Sequence, residues 1–207
     1  MKAEFWHDRW KTRNIRFHKP EANPTLIEHF DTLELVDNAR IFLPLCGKTL
    51  DIAWLLSSGY QVVGAELSEI AIIELFDELG ITPKITNIDS FKLYSAENID
   101  IFVGDIFDLT PPMLGHVDAV YDRAALVALP ADVRSSYAKH LTQITNNAQQ
   151  LLLTLEYDQS VRNGPPFSVP QTKVETHYRS IFIVNVLADD GEDYDMKELV
   201  FHLIPRR

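Results

Sequence analysis

The chain has one cysteine, Cys46, in 207 residues. A lone cysteine excludes an internal disulfide framework and a multi-cysteine zinc site, and it fits a reducing compartment. Glycine is sparse at eight residues, and proline numbers eleven, so collagen-like and low-complexity classes are excluded. Positive charge is in the minority: nineteen Lys and Arg stand against thirty Asp and Glu, for a formal net charge of −11 at pH 7. Sequence-independent binding of nucleic acid or anionic membrane needs clustered basic residues, so neither partner is expected. No apolar run is long enough for a bilayer-spanning helix. The segment Met1 to Trp10 mixes charges with aromatics and lacks a signal-peptide core. These features predict a cytoplasmic protein. The histidines are scattered, with no pair at zinc-ligand spacing, so no metal is expected. The Gly-x-Ser-x-Gly elbow of α/β-hydrolases does not occur.

What is present suits one globular domain over residues 1–207, with 46% hydrophobic and 24% charged residues. Strand and helix signals alternate along it. Phe5 to Trp10 is expected as a short helix. Asn23 can cap a second helix that opens at Pro24. Arg40 to Leu43 reads as a buried strand, Leu50 to Ser58 as a helix closed by Gly59, and Gln61 to Glu66 as a second strand. Ser68 can cap a helix through Ile72, Leu75, Phe76 and Leu79 that stops at Gly80. A hairpin is expected from Phe91 to Tyr94 and Ile99 to Val103. A strand at Val117 to Tyr121, an amphipathic helix at Pro130 to Ile144 and an unalternating strand at Leu151 to Leu155 follow. Asp158 to Pro170 and Asp189 to Met196 read as irregular. Ile181 to Leu187 and Glu198 to Ile204 lie too close in sequence for a parallel crossover and suit an antiparallel pair. The predicted architecture is α/β: a Rossmann-like, doubly wound, mostly parallel seven-stranded sheet ending in an antiparallel strand pair.

Ligands of such sheets bind beyond the carboxyl ends of the central strands. Glu66 ends the second strand, nineteen residues after Gly47. An acidic residue at that distance from a glycine turn can accept from a ribose diol; the alternative is a solvated carboxylate near a helix start. The turn Gly47-Lys48-Thr49 resembles the end of a phosphate loop, but Phe42 stands where that loop needs glycine, so a phosphate cradle is rejected. A turn this poor in glycine suits a ligand without a pyrophosphate. Asp105 can meet an adenine flanked by Ile106 and Phe107, or be an ordinary loop aspartate. Asp122 and Arg123 end a buried strand; the guanidinium suits a carboxylate or a heterocycle edge, and a local ion pair is the other reading. Trp6 and Trp10 are four residues apart and share a helix face, followed by Phe17. Such a stripe is core packing or a lid over a flat or cationic ligand. Cys46 reads as a small apolar filler.

Several segments resemble the thiopurine S-methyltransferase family, in particular its bacterial members. They are Phe5-Trp6-His7-Asp8-Arg9-Trp10, Phe17-His18, Pro44-Leu45-Cys46-Gly47-Lys48, Val62 through Ser68, Tyr121 through Pro130, and Gly164-Pro165-Pro166-Phe167. The resemblance spans nearly the whole chain. It implies S-adenosylmethionine as methyl donor, with Trp10 and Leu45 touching the donor, Glu66 on its ribose, and Ile106 and Phe107 beside its adenine. Arg123 would contact the donor site and face the acceptor. Trp6 and Phe17 would belong to an aromatic N-terminal lid formed by residues 1–22.

The reaction implied is displacement at the sulfonium methyl by the sulfur of a thiopurine or another small aromatic or heterocyclic thiol. Alignment would supply most of the acceleration. Arg123 would favour an anionic acceptor, and Asp122 would orient Arg123 or take a proton through water. Two alternatives are a methyltransferase of inorganic selenium or tellurium species or of another small thiol, and a non-catalytic nucleoside-binding module. A monomer acting on a small molecule is expected.

Overall fold

The computed structural model describes residues 3–190 and 196–206. Each central strand is apolar at successive positions, because both faces of the sheet are covered. Ile41, Leu43, Val62, Tyr121 and Leu151 point into one core, and Phe42, Val63, Val120 and Leu152 into the other. This is the two-residue side-chain period of a strand with a helix layer on each side.

The sheet order is β3-β4-β5-β2-β1-β6-β7-β9-β8. The strands are β1 (Arg40–Pro44), β2 (Gln61–Glu66), β3 (Lys84–Ile88), β4 (Phe91–Ala96), β5 (Ile99–Val103), β6 (Ala119–Arg123), β7 (Gln149–Glu156), β8 (Phe182–Asp190) and β9 (Lys197–Pro205). Strands β5, β2, β1, β6 and β7 run parallel. The hairpins β3–β4–β5 and β7–β9–β8 are antiparallel. Among the described residues the sheet therefore has nine strands where a seven-stranded sheet is predicted, and eight of the nine fall on segments read as strands. One uncounted strand is β3, whose Lys-Ile-Thr-Asn-Ile is almost wholly exposed and carries no burial pattern. Strand β8 also reaches beyond its expected end to Asp190, through an irregularity between Val186 and Ala188. Of the rest of the segment predicted irregular, Met196 has no regular structure and residues 191–195 lie outside the described residues.

The helices are α1 (Ala3–Lys11), α2 (Pro24–His29), α3 (Asp51–Ser57), α4 (Glu69–Leu79), α5 (Pro111–Leu114), α6 (Ala131–Ile144) and α7 (Gln171–Tyr178). Asn23 caps α2 as expected, accepting from the Thr25 amide at 2.9 Å. Ser68 occupies the cap position of α4, but its hydroxyl finds no hydrogen-bond partner among the described residues. Among the described residues no helix is long and apolar enough to cross a membrane.

The chain moves outward from β1 to β2 and β5, then returns to β6 and β7 on the other side of β1. The connections diverge between β1 and β6, which opens a crevice at the carboxyl ends of those strands.

Candidate active site

A cavity of about 1040 Å³ lies at these strand ends. Its floor begins at the turn after β1. Leu45 and Gly47 both take positive φ, at 48° and 53°, so the chain reverses sharply and aims the Gly47 amide at β2. Glu66, 6% exposed, receives that amide on Oε2 and the Ser68 amide on Oε1, each at 2.8 Å. Burial pushes its carboxyl up, and amides of Ser68, Gly47 and Leu67 pull it back. Each carboxylate oxygen has a second lone pair free to accept from a diol. A Cβ on Gly47 would come within 3.1 Å of the Trp10 ring, and one on Gly64 within 2.9 Å of Cys46 Sγ. Both glycines thus permit close approach to the turn. Burial raises the Cys46 thiol well above its ordinary range, and Glu66 adds to the rise, so Cys46 remains a neutral packed group.

Trp10, only 2% exposed, packs edge-to-face on Phe17 at 5.6 Å, and Phe17 meets Trp6 at 5.9 Å. All three border the cavity. The segment is tied down at Glu74 of α4, whose Oε2 accepts from Arg13 at 2.5 Å and from Lys48 at 3.1 Å. Lys48 also pairs with Glu78. Burial works against its charge, but the two carboxylates outweigh it and raise the ammonium above its ordinary value. His18 lies on the same wall, lowered by burial and by the nearby Lys48 and Arg123.

After β5, Asp105 Oδ1 accepts from the Phe107 amide at 3.0 Å and caps a 3-10 turn, Ile106–Asp108. Ile106 is buried and Phe107 is 40% exposed; both face the cavity. At the end of β6 the two-residue period separates Asp122 from Arg123. Arg123 turns toward α3 and the cavity, 3.8 Å from Asp51 Oδ2, with a long contact of 3.5 Å to Thr49 Oγ1. Asp122 turns to the opposite face. It accepts from the Leu126 amide at 3.1 Å and the Tyr137 hydroxyl at 2.7 Å. Burial raises its carboxyl to about 6, against the pull of Leu126, Tyr137 and Ala125. Asp122 therefore neither meets Arg123 nor borders the cavity, contrary to expectation. The carboxylate beside Arg123 is Asp51, fully buried, which also accepts from the Asn23 amide at 2.7 Å and the Tyr121 hydroxyl at 3.2 Å.

Two further walls were not predicted from the sequence. The chain after β7 folds back: Phe167 donates its amide to Val127 O and Val169 to Leu155 O, both at 2.7 Å, and Tyr157 Oη donates to Pro166 O at 2.5 Å. This brings Pro165 and Pro166 to the cavity. Arg9, Arg16, Lys19 and Arg162 add positive charge, so the lining has six Lys and Arg to three acidic groups in a chain of net charge −11. The Gly-Pro-Pro-Phe motif was a signal for the first wall. Nothing in the spacing of the dispersed cations marked the second. Among the described residues no three His, Cys, Asp or Glu converge to hold a metal.

The family model for thiopurine S-methyltransferase matches residues 1–202. The chain belongs to the thiopurine S-methyltransferase family. A thiopurine S-methyltransferase of Xanthobacter autotrophicus is 54% identical over 185 residues, covering 89% of this chain and 87% of that protein. One of Teredinibacter turnerae is 54% identical over 178 residues, covering 86% and 83%. Among solved structures, a Burkholderia thailandensis 1,6-didemethyltoxoflavin-N1-methyltransferase superposes with a TM-score of 0.69 at 13% identity, over 99% of this chain and 87% of that one. A TehB-like S-adenosylmethionine-dependent methyltransferase of Corynebacterium glutamicum gives 0.60 at 14% identity, over 99% and 98%. At such identities the likeness is one of fold. Family membership makes the protein an enzyme, a methyltransferase with S-adenosylmethionine as methyl donor. The turn fits that donor. It offers a buried carboxylate with free lone pairs and an aromatic wall, with no glycine-lined phosphate cradle.

Proposed function

We propose that the enzyme methylates the sulfur of a thiopurine or a similar small aromatic or heterocyclic thiol. The observation that carries this reading is the position of Arg123. It is a permanent cation set on the same cavity as the Glu66 turn and aimed by a buried carboxylate. In this reading Glu66 holds the donor ribose, Trp10 and Leu45 contact the donor, and Ile106 and Phe107 flank its adenine. Trp6 and Phe17 close the acceptor side as part of the 1–22 lid. Residues 1–207 work as one domain, as a cytoplasmic monomer acting on a small molecule.

When bound, S-adenosylmethionine supplies an electrophilic methyl group on a sulfonium. The chain's part is to hold the acceptor sulfur in line with it and to exclude water. Arg123 favours the acceptor as an anion and so raises the fraction with an ionised sulfur. The excess of cations on the cavity wall acts in the same direction. With Asp122 turned into the core, no carboxylate base is assigned. The acceptor proton is lost to solvent before transfer, as suits an acidic heterocyclic thiol.

The test is methyl transfer to 6-mercaptopurine, with selenite, tellurite and an aliphatic thiol as competing acceptors. Arg123→Ala should lose about a hundredfold or more in kcat/KM for the thiopurine, and Arg123→Lys should retain part of it. Full activity in both variants, or turnover of the inorganic acceptors alone, would overturn the assignment.

A further inference from the structure

The 3-10 turn Ile106–Asp108 carries the two apolar groups assigned to the adenine, yet it belongs to no strand or long helix. Its own bonds are local: Asp105 Oδ1 to the Phe107 amide, and Ile106 O to the Leu109 amide at 3.1 Å. Ile106 is packed in the core, and among the described residues one side-chain hydrogen bond reaches the turn from another layer. His140 on α6 places Nε2 2.7 Å from Ile106 O. Its ring lies 5.5 Å from that of Phe107, at 47° between planes. A carbonyl can only accept, so Nε2 carries the hydrogen and donates. The platform beneath is firm. The neighbouring positions Tyr137 and Leu141 are fully buried, and Tyr137 is bonded to Asp122. One imidazole thus fixes the backbone of the first adenine residue and braces the ring of the second.

We infer that His140 is a positioning residue for the adenine end of the donor site, acting through Ile106 and Phe107 without touching the donor. The inference rests on the donor placement proposed above. It follows from geometry: the turn has one anchor outside its own segment among the described hydrogen bonds, and that anchor is a side chain. Ile106 O keeps its bond from Leu109 when the imidazole is removed. No buried acceptor is then stranded, and the fold does not depend on His140. What is lost is the fixed pose of two residues that the donor must find already in place.

The experiment compares His140→Leu, which keeps bulk without a donor, with His140→Gln, which restores an N–H. S-adenosylhomocysteine affinity is measured by calorimetry, and steady-state methyl transfer is followed with the donor varied. The Leu variant should bind S-adenosylhomocysteine about five- to tenfold more weakly. It should raise KM for the donor by a similar factor while kcat at saturating donor and KM for the thiol stay within twofold. Amides 107–109 should exchange faster in it. The Gln variant should return affinity to within about twofold of wild type. Unchanged affinity in the Leu variant, a fall in kcat with donor KM unchanged, or no recovery in the Gln variant would each overturn the role. Wild type and Glu66→Ala are titrated alongside. Absence of binding by folded wild type would overturn the donor placement itself. Tight wild-type binding with Glu66 dependence and an indifferent His140→Leu would overturn the His140 role alone.

Discussion

Replacing Asp51 with Asn separates charge from shape at the group that aims Arg123. The two charges are 3.8 Å apart, with the carboxylate 1% and the guanidinium 14% exposed. At an effective dielectric of about 20 the attraction is about 4 kcal/mol before solvation is counted. Withdrawing the carboxylate from water cancels a large part, leaving roughly 1–3 kcal/mol to hold Arg123 over the cavity. The amide in Asp51→Asn keeps an acceptor for the Asn23 N–H, and Tyr121 Oη can rotate to accept from the new NH2. The fold should therefore survive, with a loss of about 1–2 kcal/mol. Acceptor kcat/KM should fall about ten- to a hundredfold, while affinity for S-adenosylhomocysteine changes by less than about threefold. Steady-state methyl transfer with varied thiol at saturating donor reads this directly. In a double-mutant cycle, Asp51→Asn should add almost nothing once Arg123 is Ala. Wild-type kcat/KM in a folded Asp51→Asn protein, or full additivity with Arg123→Ala, would refute the reasoning.

Two other outcomes follow from the same geometry. Asp122 has its carboxyl raised to about 6 by burial, against 3.8 ordinarily. The folded state therefore holds the proton more tightly than the unfolded chain. This group's contribution is fully present below about pH 4 and is lost as pH rises towards 6, by about 3 kcal/mol. Denaturant titrations from pH 4 to 7 should show wild type losing stability relative to Asp122→Asn across that window; parallel curves would refute it. Gly47→Ala places a Cβ 3.1 Å from the Trp10 ring on a residue at φ +53°. A left-handed alanine costs about 1–2 kcal/mol, so Tm should drop by about 2–8 °C and S-adenosylhomocysteine should bind several-fold more weakly. Thermal melts and titrations check both.

The parallel core of the sheet was legible because its strands are apolar on both faces, as in Ile41-Phe42-Leu43 and Leu151-Leu152-Leu153. Strand β3 was not, because an exposed edge strand needs no apolar residue. Helix α7 was missed for a similar reason, since only Val174 and Tyr178 of its eight residues are buried. Eight of the predicted site residues border one cavity: Trp6, Trp10 and Phe17 from the N-terminal segment, Leu45 and Glu66 from the first turns, and Ile106, Phe107 and Arg123 from the later strand ends. Asp122 does not, since adjacent strand residues face opposite ways, and sequence adjacency to Arg123 gave the wrong partner. Asp51 was hidden in the first turn of α3, where an acidic residue usually serves the helix dipole. His140 was hidden on an ordinary amphipathic helix, because its partner is a backbone carbonyl thirty-four residues away.

The proposed placement of the donor on the Glu66 turn underlies the roles given to the donor-site residues, and one titration tests it. Calorimetry with S-adenosylhomocysteine on folded wild type and on Glu66→Ala should show saturable binding by wild type, weakened at least tenfold in the variant, since the proposed placement gives the ribose two charge-assisted hydrogen bonds to Glu66 that the variant would lack. Equal affinity in the two proteins, or no binding by folded wild type, would contradict the account.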